Sequence, residues 1–164
     1  MSISNNKLLQ EIEGIRKIKD ALVVLVKTEW NAEVVDELES GCIRVLEQYG
    51  IKWRTLIVPG AVEIPFAIQQ TWANTNAPDA FIALGCIVRG DTPHFDYVCK
   101  AVTDGVTQLN LSLPVPVIFG VLTVNTDEQA QQRIGGVHGH KGEEAAMTAL
   151  KMIVLNKQLK EEKA

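Results

Sequence analysis

The chain is short of cysteine, of membrane-length apolar runs and of one-signed charge, and each shortage removes a class of function. Cys42, Cys86 and Cys99 are odd in number and lack C-x-x-C spacing, so no disulfide framework is expected. Cys86 and Cys99 read instead as small buried hydrophobes. No run approaches the roughly 20 apolar residues of a membrane helix. "MSISNNKLLQEIEGIRKIKD" has no signal-peptide core, which makes the cytoplasm the default location. Lys and Arg number 16 against 20 Asp and Glu, for a net charge of −4, and the basic residues form no block. A nucleic-acid partner is therefore not expected, whereas a local basic pocket for a small anion stays open.

Familiar nucleotide and metal motifs are missing too. "VKTEWN" after the first apolar run contains no glycine, so the dinucleotide fingerprint is absent. "GGVHGHKG" (135–142) looks like a phosphate loop but fails the Walker pattern, because glycine follows Lys141 and no buried strand leads into it. It can still set Arg133 or Lys141 against a phosphate at the start of the last helix, or is simply a flexible surface loop. His138 and His140 stand two apart, there is no H-E-x-x-H, and Cys86, His94 and Cys99 match no zinc spacing. Neither a metal nor a cofactor is expected.

What is present is an alternation. With 164 residues, 46% of them hydrophobic, the chain suits one domain with a proper core. "ALVVLVK" (21–27), "IKWRTLIV" (51–58), "AFIALGCIV" (80–88) and "VPVIFGVLT" (115–123) are short, apolar and β-branched, as buried strands are. Between the first two, Val34, Val35, Leu38, Cys42, Val45 and Leu46 recur at helical spacing, with Gly50 placed to end the helix. Helical patterns resume after Pro65, from about Phe95 to Leu111, in "DEQAQQR" behind a capping Thr126, and in "GEEAAMTALKMIVLNKQLK". The expected fold is an α/β, flavodoxin-like three-layer sandwich: a four-stranded parallel sheet with helices on both faces. Residues 1–19 read as an N-terminal arm or short helix, 20–158 as one domain and 159–164 as a polar tail.

In such sheets ligands bind beyond the C-terminal strand ends. Those ends are "TEWN", "PGAVEIP", "RGDTPHFD" and "TVNTDEQ", and they should gather along one edge. Trp30 offers a flat surface for a heterocycle, or is a half-buried packing residue. Glu63 can accept hydroxyl hydrogen bonds, or serve as the acidic residue of a helix's first turn. Gly90, Asp91 and Thr92 suit a turn whose backbone N–H groups cradle an anion, or a simple turn and cap. His94 can move protons, or only pack the following helix.

Taken together and in order, "EWN", "PGAVEIPFA", "ALGCIVRGDTPHFDYVC", "PVIFGVLT" and "RIGGVHGHKGEEAA" resemble the 6,7-dimethyl-8-ribityllumazine synthase family. The resemblance implies a transferase that condenses 5-amino-6-(D-ribitylamino)uracil with 3,4-dihydroxy-2-butanone 4-phosphate in riboflavin biosynthesis. It implies that Trp30 stacks on the pyrimidine beside Asn31, and that Gly60, Ala61, Val62 and Glu63 hold the ribityl chain. Cys86, Ile87 and Val88 then meet the pyrimidine, Asp91 and Thr92 hold phosphate by backbone, and His94 transfers protons. Arg133 and Phe119 are implied to reach across a subunit boundary, with Lys141 near the site. The implied assembly is a homopentamer, with a 60-subunit icosahedral shell and an enclosed riboflavin synthase as further expectations. Two departures stand out: Trp30 where many relatives carry phenylalanine, and "GGVHGHK" where threonine and asparagine are commoner. A flavin-binding module and a shell protein without activity are the competing readings.

Overall fold

The computed structural model describes residues 7–10 and 13–162; the remainder of the expected arm and the last two residues of the expected tail lie outside them. Four strands form the sheet: β1 (Leu22–Thr28), β2 (Lys52–Val58), β3 (Ala80–Val88) and β4 (Val117–Val124). All pair in parallel, in the order β2-β1-β3-β4. The large helices are α1 (Ala32–Gln48), α2 (Ile64–Thr75), α3 (His94–Ser112) and α5 (Lys141–Glu161). Short α4 (Asp127–Gln131) and a hairpin of β5 (Ile134–Gly136) and β6 (Gly139–His140) lie between β4 and α5. The fold is the expected flavodoxin-like α/β sandwich.

Alternation along the strands builds two cores. Val23 and Leu25 of β1, Ile82 and Leu84 of β3, and Ile118 and Leu122 of β4 pack against α1 and α5. Their neighbours Val24, Val26, Phe81, Ala83, Val117 and Val121 pack against α2 and α3. Burial on both faces is why these strands read as continuous apolar runs rather than as alternating ones. Each large side chain so buried stabilises the fold by about 1.5–3 kcal/mol relative to exposure.

Topology then fixes the functional edge. The crossover from β1 to β2 runs one way across the sheet, and those from β2 to β3 and from β3 to β4 run the other way. Right-handed crossovers therefore put α1 on one face and α2 and α3 on the opposite one. The reversal leaves a crevice between the C-terminal ends of β1 and β3, the place where α/β sheets bind ligands.

Local signals act as their chemistry requires. Gly50, at φ +66, follows the end of α1, and the Ile51 N–H returns to the Leu46 carbonyl at 2.9 Å. Pro65 occupies the first turn of α2, and the Thr126 side chain caps α4 by accepting from the Gln129 N–H. Most element ends fall within a residue or two of expectation, and some of the differences have a clear cause. β4 starts at Val117 rather than 115 because Pro114 and Pro116 have no N–H to donate; instead the Asn110 amide holds both the N–H and the carbonyl of Val117. Helix α5 continues to Glu161, through the first residues set apart as a tail. Ile15 and Ile18, within the expected arm, are buried in the α1–α5 core.

Candidate active site

Three strand ends are tied together, two by backbone and the third by a side chain. Beyond β1, the Glu29 N–H donates to the Val58 carbonyl at 2.9 Å and the Trp30 N–H to that of Pro59 at 3.3 Å. The Thr28 hydroxyl donates to the Trp30 carbonyl at 3.1 Å. Asn31 sits at φ 55, ψ 43, a left-handed conformation that asparagine tolerates better than most side chains. From there its amide nitrogen donates to the Cys86 carbonyl at 2.7 Å, a clasp across the crevice from β1 to β3.

These ties shape a cleft of about 370 Å³. Trp30 and Asn31 come from the end of β1, Gly60, Ala61, Val62 and Glu63 from the end of β2, Cys86, Ile87 and Val88 from β3, and His94 from the first turn of α3. A Cβ on Gly60 would lie 3.0 Å from a Glu63 carboxylate oxygen and 3.5 Å from the Trp30 ring, so the bare backbone lets carboxylate and indole close in. Trp30 is 73% exposed, an unusual state for a large aromatic that has only a packing role. Asp91 and Thr92 are exposed on the loop between Val88 and His94, and the Thr92 hydroxyl accepts from the His94 N–H at 3.4 Å. Cys86 contributes backbone: its side chain is buried toward α1 and α5, and burial, helped by the Asp127 charge, pushes the thiol up to about 11. Burial thus disfavours a thiolate nucleophile in the cleft.

The other expected residues stand elsewhere. Phe119, 41% exposed, pairs in register with Ala83 on edge strand β4. That is three residues short of Cys86, roughly 10 Å back along the strand. With Lys141 it lines a separate groove of about 420 Å³, where the Lys141 ammonium lies 2.8 Å from the Glu144 carboxylate. Arg133 comes after α4 and donates from Nη1 to the Gln129 carbonyl at 2.7 Å. A larger depression of about 490 Å³ lies at the opposite end of the sheet, between Arg16, Lys19 and the last turn of α1, away from the C-terminal strand ends. Among the described residues, no three His, Cys, Asp or Glu side chains converge to hold a metal, and no helix is long and apolar enough to cross a membrane.

The family model for 6,7-dimethyl-8-ribityllumazine synthase matches residues 20–157. The chain belongs to this family. It is 49% identical over 150 residues to the 6,7-dimethyl-8-ribityllumazine synthase of Porphyromonas gingivalis, covering 90% of this chain and 92% of that protein. Likeness to the synthase of Parabacteroides distasonis is 48% over 132 residues, 79% and 82% of the two chains. With that of Cytophaga hutchinsonii it is 43% over 156 residues, 93% and 98%.

Within this lumazine synthase fold, "GGVHGHK" takes a form that sequence reasoning missed. It is a hairpin, and the second of its two histidines is structural. The His140 ring is buried over Gly41 of α1, its Nε2 lies 3.2 Å from a Glu37 carboxylate oxygen, and its Nδ1 accepts from the Glu143 N–H to cap α5. Sequence reasoning also missed Val98, which lines the cleft one turn into α3; its four-residue spacing from His94 is the signal that could have found it. Arg89 is a third such residue. Its Nε donates to Asn125 at 3.0 Å, its Nη2 to Asp96 at 3.1 Å, and its guanidinium stands 4.2 Å from the centre of the Phe95 ring. Nothing local in the sequence pairs Arg89 with Asn125, 36 residues away.

Proposed function

We propose that the cleft at the β1–β3 crevice is one half of a composite active site, completed by the β4 edge and the Arg133–Lys141 corner of a neighbouring copy. The reaction is that of the family: 5-amino-6-(D-ribitylamino)uracil and 3,4-dihydroxy-2-butanone 4-phosphate condense to 6,7-dimethyl-8-ribityllumazine, in riboflavin biosynthesis. The observation that carries the proposal is the division of the residues. Trp30, Asn31, Gly60, Ala61, Val62, Glu63 and His94 share one cleft, whereas Phe119 and Lys141 line another groove. Exposed Val62 at the cleft, with exposed Ile57 on β2 and Phe66 on α2, supports a subunit contact on this side. The assembly we infer is a homopentamer, about 90 kDa for five chains of 18.0 kDa, with a shell of twelve such units and an enclosed riboflavin synthase as its extension.

The chemistry asks mainly for orientation. The amine is already a nucleophile and the ketone an electrophile, and holding the pair in register is worth up to roughly 7–11 kcal/mol. Trp30 stacks on the pyrimidine, while Glu63 and the 60–62 backbone take the ribityl hydroxyls. The 90–92 backbone at the start of α3 and the neighbour's Arg133 hold the phosphate, a fork matching phosphate oxygens better than a point charge would. Attack of the amine on the ketone gives a carbinolamine, which loses water to an imine. Removal of a proton next to the imine and departure of phosphate leave an enol, whose keto form the ribityl-bearing nitrogen attacks. A second water leaves as the ring closes. An imidazole can both accept and donate protons, and His94, at the cleft wall, is assigned those transfers.

The test is synthesis itself: purified protein with both substrates, followed by lumazine fluorescence and phosphate release. We expect both products in equal amounts, at a rate that falls in His94→Gln. Turnover of His94→Gln equal to wild type across neutral pH removes His94 from the chemistry, and absence of both products overturns the reading.

A further inference from the structure

We propose that Arg89 is a positioning residue, the brace that sets the anion-holding 90–93 loop and His94 in place. This rests on the phosphate-holding role proposed for that loop. The loop leaves β3 at Val88 and re-enters structure at His94, the first residue of α3. Arg89 stands at its departure point, where its N–H extends the β3–β4 pairing by donating to the Val124 carbonyl at 2.9 Å.

From that anchored backbone its side chain spans the base of the loop. Nη2 reaches Asp96 in the first turn of α3 at 3.1 Å, and the guanidinium lies 4.2 Å from the Phe95 ring centre. Nε turns the other way, to the Asn125 amide oxygen at 3.0 Å, beyond the end of β4. Asn125 is itself held, its N–H donating to the Gln129 side chain at 2.8 Å. One planar group thus fixes where the loop starts, where it ends and how both stand against the neighbouring strand end. Asp91, Thr92 and His94 lie along the chain between these contacts, exposed, and share no hydrogen bond with Arg89.

A lysine keeps the charge at this position but cannot satisfy two divergent acceptors and a ring face from one plane. In an oriented site, misplacement by about 1 Å can cost roughly a hundredfold in rate. Replacement of Arg89 should therefore act on the phosphorylated substrate and on proton transfer, and spare the ribitylaminouracil, whose ring rests on Trp30 and whose ribityl chain rests on Glu63.

The experiment compares Arg89→Lys, Asp96→Asn and Asn125→Ala with wild type in steady-state synthesis. A parallel titration measures binding of the ribitylaminouracil alone, and thermal melting confirms folding. We expect Arg89→Lys to raise KM for the butanone phosphate and lower kcat, by roughly tenfold or more in kcat/KM, with uracil-substrate affinity within about twofold. Asp96→Asn and Asn125→Ala should reproduce part of the effect, and each should add less in the Arg89→Lys background than alone. Arg133→Ala is the control for the underlying reading. If it raises KM for the phosphate substrate while Arg89→Lys does not, this inference alone fails. If neither variant changes that KM, the phosphate reading fails and the brace with it. Equal losses at both substrates, or full additivity with Asp96→Asn and Asn125→Ala, also overturn it.

Discussion

An equimolar mixture of His94→Gln and Arg133→Ala subunits should regain activity that neither variant has by itself. His94 lines the cleft at the start of α3, while Arg133 comes after α4 and is held by the Gln129 carbonyl. If one chain supplied both, every site in the mixture would lack one or the other. In a site shared between neighbours, the chain lending His94 must be of the Arg133→Ala type and the chain lending Arg133 of the His94→Gln type. Random assembly satisfies each condition in about half of cases, so about a quarter of sites are intact. Against that, loss of the imidazole lowers the rate by about 10²–10⁴-fold. Loss of a charge-assisted fork at about 1.5–3 kcal/mol lowers it by about 10- to 150-fold. The mixture should thus show about 25% of wild-type turnover, well above the mean of its parents. The assay unfolds and refolds differently tagged variants together and follows lumazine fluorescence, with separately refolded and then combined protein as the blank. Activity that never exceeds the parental mean would refute the shared site.

Individual side chains give four further expected outcomes. Trp30→Ala should leave the melting temperature unchanged, since the ring is 73% exposed, yet weaken binding of the uracil substrate by about 1–3 kcal/mol in a direct titration. Asn31→Ala should lower the urea-derived stability by about 1–3 kcal/mol, because it removes the hydrogen bond to Cys86 and puts alanine at φ 55. Gly142→Ala inverts the usual preference: in an open helix alanine is better by about 1 kcal/mol, but here its Cβ would overlap the Leu38 backbone carbonyl. Calorimetry should register a loss of about 1–3 kcal/mol. Burial, with the Glu39 charge, pushes the Cys42 thiol up to about 12, so this group stays protonated in the fold while the unfolded chain ionises near 9.0. The unfolded state then binds fewer protons, so the contribution is complete below pH 9 and is lost as pH rises toward 12. Lys27 acts in the same direction above its ordinary 10.5: burial opposes its charge, but hydrogen bonds to Asp36 and Glu39 outweigh that and raise it. Urea midpoints should fall through this alkaline range, and less steeply in Cys42→Ala.

Much of the site was legible because its residues lie directly after strands. Periodicity located β1 and β3, and the segments after parallel strands must emerge at the same edge, so Trp30, Asn31 and His94 could be placed together from the sequence alone. The family resemblance added what spacing could not, the substrates and the assignment of Phe119 and Arg133 to a second subunit. Contacts between side chains remote in sequence were illegible. The pairings of Arg89 with Asn125 and of His140 with Glu37, 36 and 103 residues apart, leave no periodic trace. The role of His140 within "GGVHGHK" was hidden for a related reason, since its glycines read as a surface loop and gave no sign that the ring is buried and caps α5.

By itself, then, the sequence did not show that edge strand β2 is buried only at Val58, but it determined the order of strands and helices, the burial of the central strands β1 and β3 on both faces and the set of polar strand ends. Each of these arises from local residue types and a fixed repeat along the backbone. Only the tertiary structure decided which of those residues share a cleft and which stand on another edge. The left-handed Asn31 clasp, the Arg89 brace and the setback of Phe119 along β4 all depend on the register and crossing of elements distant in the chain. No local propensity encodes that geometry; it is set by how two packed layers close on one sheet.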